Sequence, residues 1–380
     1  MRTEAVDVAI VGAGIVGLAH AYVAARAGRS VAVFERNPEA IGASVRNFGM
    51  IWPIGLPPGK VRAMALRSRE VWLDVLREAK LPFSPTGSLH VAYRNDEAAV
   101  GREFAEMAPA LGYECAWLAR DEALERSRAI RAEGLVGALW SGTELTVDPR
   151  RIVGALPAFL AEQYGVQFFF NTAVQSVESS FVAAGGRRWN AGAVVVAGGD
   201  DFQTLFPEQF RESGVTRCKL QMMRTVRQPD GWTLGPSLAF GLTFTHYATF
   251  RWCASLGALK ERIRRETPEL ERWGIHVLVS QTSAGELTIG DSHETGLAVS
   301  VFDKPHVNRL ILEYARQHLD VPTLEIGEQW HGVYAKHPDH AFLDFEPLDG
   351  VRAITVTNGL GMTLSFGIAE HTFSRIVPAA

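Results

Sequence analysis

Cysteine is scarce in this chain: Cys115, Cys218 and Cys253 are the only three among 380 residues, and they lie far apart. That spacing excludes a CxxC redox pair, a zinc knuckle and a disulfide framework, and Cys218 and Cys253 read as buried hydrophobes. An excess of one charge is also lacking. Thirty-eight Lys and Arg face 42 Asp and Glu, a formal net charge of -4, so the molecule as a whole offers nucleic acid no basic surface. No apolar run reaches the length of a transmembrane helix, and the opening Met-Arg-Thr-Glu-Ala carries no secretory h-region, so a cytoplasmic location is expected. His, Cys and carboxylate residues show no metal-ligand spacing anywhere, and no metal is expected.

What is present is ample apolar material. A hydrophobic content of 47% against 21% charged excludes a disordered chain, and 380 residues exceed one ordinary core, so two domains are expected. Val6 to Val11, the helical stretch Ile15 to Ala27 and Ser30 to Glu35 read as a βαβ unit. Lys60 to Ala79 carries Val61, Met64, Ala65, Val71, Trp72, Val75, Leu76 and Ala79 on one helical face. Asp148-Pro149 reads as an N-cap followed by proline at the first helical position. Strands are expected at 166–170, 173–177 and 193–197. From 218 to 325 the pattern shifts to alternating strands, notably His276 to Gln281 and Glu286 to Gly290, among dense aromatics. The end of the chain returns to α/β style, with a strand from Arg352 to Val356 and a helix from Thr363 onward.

Gly12-Ala13-Gly14-Ile15-Val16-Gly17 stands between the first strand and helix, where a dinucleotide fingerprint belongs. Gly12 permits the tight turn, Gly14 lets a pyrophosphate approach the backbone, and Gly17 lets the helix pack on the strand. Phosphates would then meet the free amides of Ile15 and Val16 at the positive end of the helix dipole. Glu35 ends the second strand, 18 residues after Gly17, where its carboxylate suits a ribose, and Arg36 follows it. The fingerprint does not separate FAD from NAD. Asn190 to Gly199 reads as a buried strand whose end, Ala197-Gly198, suits a place beside the pyrophosphate; a plain core strand is the alternative. Asn358 to Gly367 is a glycine turn opening a helix, with Gly359, Gly361, Met362 and Thr363 placed to meet the pyrimidine end of a flavin; a simple helix cap is the alternative.

Together with Ala43-Ser44-Val45-Arg46-Asn47-Phe48-Gly49, the strand region 166–177 that includes Val174, Gly285 to Asp291, and Trp330-His331-Gly332-Val333-Tyr334 to Pro338-Asp339, these motifs resemble the D-amino-acid oxidase group. The glycine oxidase, sarcosine oxidase and D-amino-acid dehydrogenase branches are the most similar in style. The resemblance spans nearly the whole chain. It implies an α/β protein: an interrupted Rossmann-type FAD-binding domain (1–85, 145–217 and 326–380) with an α+β substrate domain built on an antiparallel sheet (86–144 and 218–325). It implies FAD as cofactor, with Ser44, Arg46, Asn47, Phe48 and Gly49 beside it. Gly332 stands where the sarcosine oxidase branch attaches its flavin through cysteine, Thr363 and Thr288 stand where it carries lysines, and no histidine occurs at 43–49. Non-covalent FAD follows from the resemblance.

The chemistry so implied is oxidation of a C–N bond in a small amine or amino acid, N-methylated or an aminophosphonate among the options, to an imine that hydrolyses to a carbonyl compound. Oxygen or another acceptor would then take the electrons. A neutral amine expels hydride once positioned, so no acid–base triad is required. Arg46, Asn47, His246, Tyr247, Tyr334, Lys336 and His337 are the candidate pocket residues. Arg46 and Lys336, with His337, would suit an acidic substrate. No second GxGxxG occurs, which argues against a built-in NAD(P)H site. An NAD(P)H-dependent flavin monooxygenase and a flavin-binding subunit of a larger dehydrogenase complex are the alternatives.

Overall fold

A computed structural model describes residues 4–376. Two large sheets share the work. In the first, the strand Glu4–Val11 pairs in parallel with Val31–Phe34 on one side and Arg187–Val196 on the other. Gln167–Phe169 and Val351–Val356 extend it in parallel, and Phe342–Leu348 closes one edge antiparallel. The central strands are buried on both faces: every residue of Val31–Phe34 is buried, as are Val194, Val195 and Ala353. The helices Ile15–Arg26, Lys60–Glu78, Pro149–Tyr164 and Gly361–Ile376 form a layer over the sheet. Asp148 caps its helix as expected, accepting from the amides of Arg150 and Arg151. The long helix Lys60–Glu78 anchors the last one. Trp72 Nε1 donates to the Met362 carbonyl at 2.7 Å, and Ser68 Oγ accepts from the Phe366 amide at 3.2 Å.

The second sheet has nine strands, and its centre is the run Thr216–Thr225, Leu287–Gly290, Leu278–Gln281, Ser237–Phe240 and Ser88–Ala92. It differs from expectation in three ways. Ser237–Phe240 and Ser88–Ala92 run parallel, so the sheet is mixed, because these strands come from separate excursions of the chain that enter in the same direction. Ile326–Lys336, expected with the nucleotide unit, pairs antiparallel along Thr216–Thr225 from Lys336 to Ile326. Its backbone completes the edge of that long strand, so by hydrogen bonding it belongs to the second sheet. His276 precedes the strand it was expected to open, which starts at Leu278. The chain from 218 to 325 also contains four α-helices, Thr243–His246, Leu256–Glu266, Pro268–Arg272 and Pro305–His318. Among the described residues no helix is long and apolar enough to cross a membrane.

Candidate active site

One cavity of about 850 Å³ runs from the glycine turn of the first sheet to the face of the second. At its nucleotide end, Gly12 has φ +103°, and a Cβ there would lie 2.5 Å from the Ala197 carbonyl oxygen. A Cβ on Gly17 would lie 1.9 Å from the Gly12 carbonyl oxygen. Both contacts are with backbone, which cannot turn aside, so only glycine allows strand, turn and helix to close together. Helix Ile15–Arg26 starts after Gly14; its Ile15 amide donates to Ser44 Oγ at 2.9 Å, and its other first-turn amides have no intrahelical acceptor. Glu35 is buried: Oε2 accepts from the Ala13 amide at 3.0 Å, and Oε1 from the Asn37 amide and Nδ2 at 3.0 and 2.9 Å. Oε2, with a single protein donor, keeps a lone pair for a ribose hydroxyl. Arg36 is half-exposed and pairs with Asp201 at 2.6 Å.

In the middle of the cavity a second helix N-terminus opens at Gly361. Gly359 before it has φ +79°, and a Cβ there would come within 3.3 Å of the Tyr334 ring. Asn47 holds its own loop, donating through Nδ2 to the Ala43 and Ser44 carbonyls and accepting from the Gly49 amide. Arg46 lines the wall, with Nη1 donating to the His331 carbonyl at 3.3 Å. Two helix N-termini, a buried ribose acid and close-packed glycines on one elongated cavity fit a dinucleotide whose far end gathers negative charge on reduction. The residues present therefore fit FAD, which would be held by the turn from Gly12 to Val16, Glu35, Val174, Ala197, Gly198, the Ser44–Phe48 loop and the turn from Gly359 to Met362.

The far end of the cavity is walled by Trp52, His246, Tyr247, His276, Asp291, His293 and Tyr334. The imidazoles crowd together. Ring centroids are 3.7 Å apart for His246 and His276, 4.6 Å for His246 and His293, and 5.1 Å for His276 and His293. His246 opens onto the cavity, yet it lies deep within the protein. Burial holds His246 and His276 well below the usual imidazole pKa and His293 at about 4, and neighbouring imidazoles and the Lys336 ammonium push His246 and His276 the same way. For His293 the Gly274 carbonyl opposes the burial, and Lys336 adds to it. Burial also raises the Asp291 carboxyl well above its ordinary range, although Oδ1 lies 3.3 Å from His276 Nε2. That approach is misaligned for a hydrogen bond, and both atoms are left without a partner. Burial raises the Tyr247 and Tyr334 phenols too.

Most expected site residues do meet on this cavity, and five, Gly17, Gly49, Lys336, His337 and Thr363, do not line it. Thr363 is buried away from it, its Oγ1 accepting from the Trp52 amide at 2.8 Å. Gly17 and Gly49 act as packing positions behind the wall; Gly49 has φ +72° and faces the Val147 carbonyl oxygen. Lys336 stands behind Tyr334 on the same strand and is absent from the wall. His337 is structural: Nδ1 accepts from the Asp339 and His340 amides, so Nε2 donates to the Ser213 carbonyl at 3.1 Å. Trp52, His276, Asp291 and His293 escaped the sequence reading. The expectation of no metal-ligand group rested on linear spacing, and the fold gathers His246, His276 and His293 from separate loops.

The family model for FAD dependent oxidoreductases matches residues 7–375. Glycine oxidase of Geobacillus kaustophilus (strain HTA426) is 27% identical over 209 residues, 52% of this chain; the match spans 55% of that curated relative, little more than half its length. The crystal structure of glycine oxidase from Geobacillus kaustophilus superposes with a TM-score of 0.77 at 20% identity, covering 100% of this chain and 96% of that one. L-proline dehydrogenase from P. horikoshii gives a TM-score of 0.76 at 19% identity, covering 99% and 94%. L-α-glycerophosphate oxidase from Mycoplasma pneumoniae, solved with FAD bound, gives 0.73 at 18% identity, covering 98% and 95%. With the family model matching nearly end to end, and with a cavity built for FAD, this chain belongs to the D-amino-acid-oxidase-type family of FAD-dependent oxidoreductases.

Proposed function

We propose that the chain oxidises the C–N bond of a small amine or amino acid that carries an anionic group. Hydride leaves the carbon beside nitrogen, the nitrogen loses its proton, and the resulting imine takes up water to give a carbonyl compound and an amine or ammonia. Bound FAD supplies the two-electron acceptor for that hydride, and oxygen or another carrier regenerates it.

The observation that carries this reading is the composition of the far end, where two phenols and three closely packed imidazoles face the cavity that begins at the nucleotide turn. The burial that keeps three imidazoles neutral acts equally on a substrate ammonium and favours the free amine, whose lone pair drives hydride out. Tyr247, Tyr334 and the imidazoles then orient the amine by hydrogen bonds, and Trp52 with Leu278 excludes water. Arg46 and the Lys336 ammonium behind Tyr334 supply positive potential for a carboxylate or phosphonate tail. Non-covalent FAD is supported by Gly332, which has no nucleophile and whose Cβ would press within 3.0 Å of the Arg46 carbonyl oxygen.

Anaerobic mixing with a panel of amino acids, N-methylated amino acids, aminophosphonates and glycerol phosphate tests the reading. Bleaching of the flavin by an amine is expected. Bleaching by glycerol phosphate alone, or by NADPH alone, overturns it. Acid precipitation should release yellow FAD into the supernatant; flavin held in the pellet refutes non-covalent binding.

A further inference from the structure

We propose that His246, His276, His293 and Asp291 form a binding site for a divalent transition-metal ion of the zinc class, set in the wall of the cavity. The imidazole ligand atoms all lie within 4.8 Å of one another. The Asp291 carboxylate adds oxygens 3.3 Å from His276 Nε2 and 3.9 Å from His293 Nε2. The three imidazoles come from the end of the short helix Thr243–His246 and from two loops, and Asp291 stands beside two of them.

These donors have unspent lone pairs. Both ring nitrogens of His276 and Oδ1 of Asp291 are buried without a hydrogen-bond partner. Buried polar groups are almost always satisfied by protein, water or an ion, so a cluster of orphans marks a place for a missing one. His293 shows in addition how a ligand is held. Its Nδ1 lies 2.9 Å from the Gly274 carbonyl oxygen, which can only accept, so Nδ1 carries the hydrogen and Nε2 presents its lone pair on the Asp291 side. A histidine ligand whose other nitrogen donates to a backbone carbonyl is the usual second-shell arrangement.

The donor set selects the ion. Magnesium and calcium prefer all-oxygen cages, whereas three imidazoles and a carboxylate suit zinc and its neighbours in the first transition row. Zinc–nitrogen bonds of about 2.1 Å need donors roughly 3.4 Å apart, so ligand atoms that lie up to 4.8 Å apart must draw together and the His246 ring must turn out of its stack on His276. His246 faces the cavity and has room for that movement. Lys336 is an opposing charge nearby, which the Asp291 carboxylate offsets once the ion is bound.

The test uses FAD-loaded protein stripped with chelator and titrated calorimetrically with zinc sulfate alone. One ion per chain is expected, with affinity falling about 10- to 100-fold in Asp291→Asn and further in the double variant His276→Gln, His293→Gln. His337→Gln, far from the cluster, should bind zinc as the parent does. Equal stoichiometry and affinity in the parent and the double variant would mean an adventitious surface ion only and overturns the site, as does a parent that binds no zinc. X-ray absorption at the zinc edge of the loaded parent needs no variant to fold; fewer than two imidazole ligands there also overturns the proposal. Each readout is metal binding itself, so it succeeds or fails independently of the amine reading.

Discussion

The two ends of the cavity are built differently. At the nucleotide end the backbone does the recognition: Gly12, Gly14 and Gly17 set a turn, a helix presents its amides, and Glu35 is the principal side chain involved. At the far end side chains do it, with His246, Tyr247, His276, Asp291, His293 and Tyr334 arriving from four loops and strands. A backbone-built site tolerates few residue types at fixed spacing. A side-chain-built site tolerates many residues at any spacing, provided the fold brings them together. On the reading proposed above, the first kind would fix the cofactor and the second the substrate.

The sharpest way to break this division is a substitution at the first end. In Gly17→Val the new Cβ would lie 1.9 Å from the Gly12 carbonyl oxygen, so turn and helix must part. The expected outcome is colourless protein destabilised by more than about 4 kcal/mol, read by FAD content and urea denaturation. Yellow protein of parental stability would show that the turn has slack. At the other end, His276→Leu should keep its FAD yet lower kcat/KM for the best amine by roughly 30- to 1,000-fold, the cost of one polar contact in a dry site. Loss of FAD from that variant would mean that the two ends are not separable.

The same division explains what was legible in the sequence. Gly12 to Gly17, Glu35, the Asp148-Pro149 cap and the turn from Gly359 were readable because local backbone geometry demands those residues in that order. The pairing of Ile326–Lys336, a segment expected within the FAD-binding domain, with the second sheet was not legible for a different reason. Strand character is a local property, but the partner strand Thr216–Thr225 lies a hundred residues earlier in the chain. Likewise His276 and His293 stand in no motif, and both escaped the sequence reading. Their meaning lies in the ring of His246 stacked on His276, a contact between residues 30 positions apart. Thr363 erred the other way: it sits in a cofactor motif, but its side chain turns inward to the Trp52 amide.

A smaller effect probes the field behind the far wall. The Lys336 ammonium helps to depress the pKa of His246, His276 and His293. In Lys336→Met that contribution disappears, so the imidazoles take up protons at higher pH than in the parent. The acid limb of the kcat/KM profile should therefore move towards neutrality, and kcat/KM at neutral pH should fall by about tenfold for anionic amines, in keeping with one distant, partly screened charge. An unmoved acid limb would mean that these imidazoles do not titrate in the rate profile.

The last and smallest effect concerns an imidazole just behind the cavity that serves no ligand. His90 is fully buried on the strand Ser88–Ala92, its ring packed 5.5 Å from Trp52, 5.6 Å from Phe244 and 5.3 Å from Phe250, and neither ring nitrogen has a hydrogen-bond partner. Burial alone lowers its pKa to about 3. Between its ordinary value of 6.5 and about 3 the unfolded chain binds a proton that the folded chain refuses. Stability therefore falls as pH drops through that window, by up to about 1.4 kcal/mol per pH unit for this group, and is unaffected above it. His90→Leu removes both the orphaned nitrogens and the titration. At pH 7.5 the variant should match the parent or exceed it by about 1 kcal/mol, because losing the unsatisfied polar atoms offsets the loss of aromatic contact. At pH 5 the gap should widen in favour of the variant, as thermal unfolding at the two pH values would record. A gap that stays constant with pH would show that His90 has a partner for its proton after all and belongs with the working histidines rather than with the core.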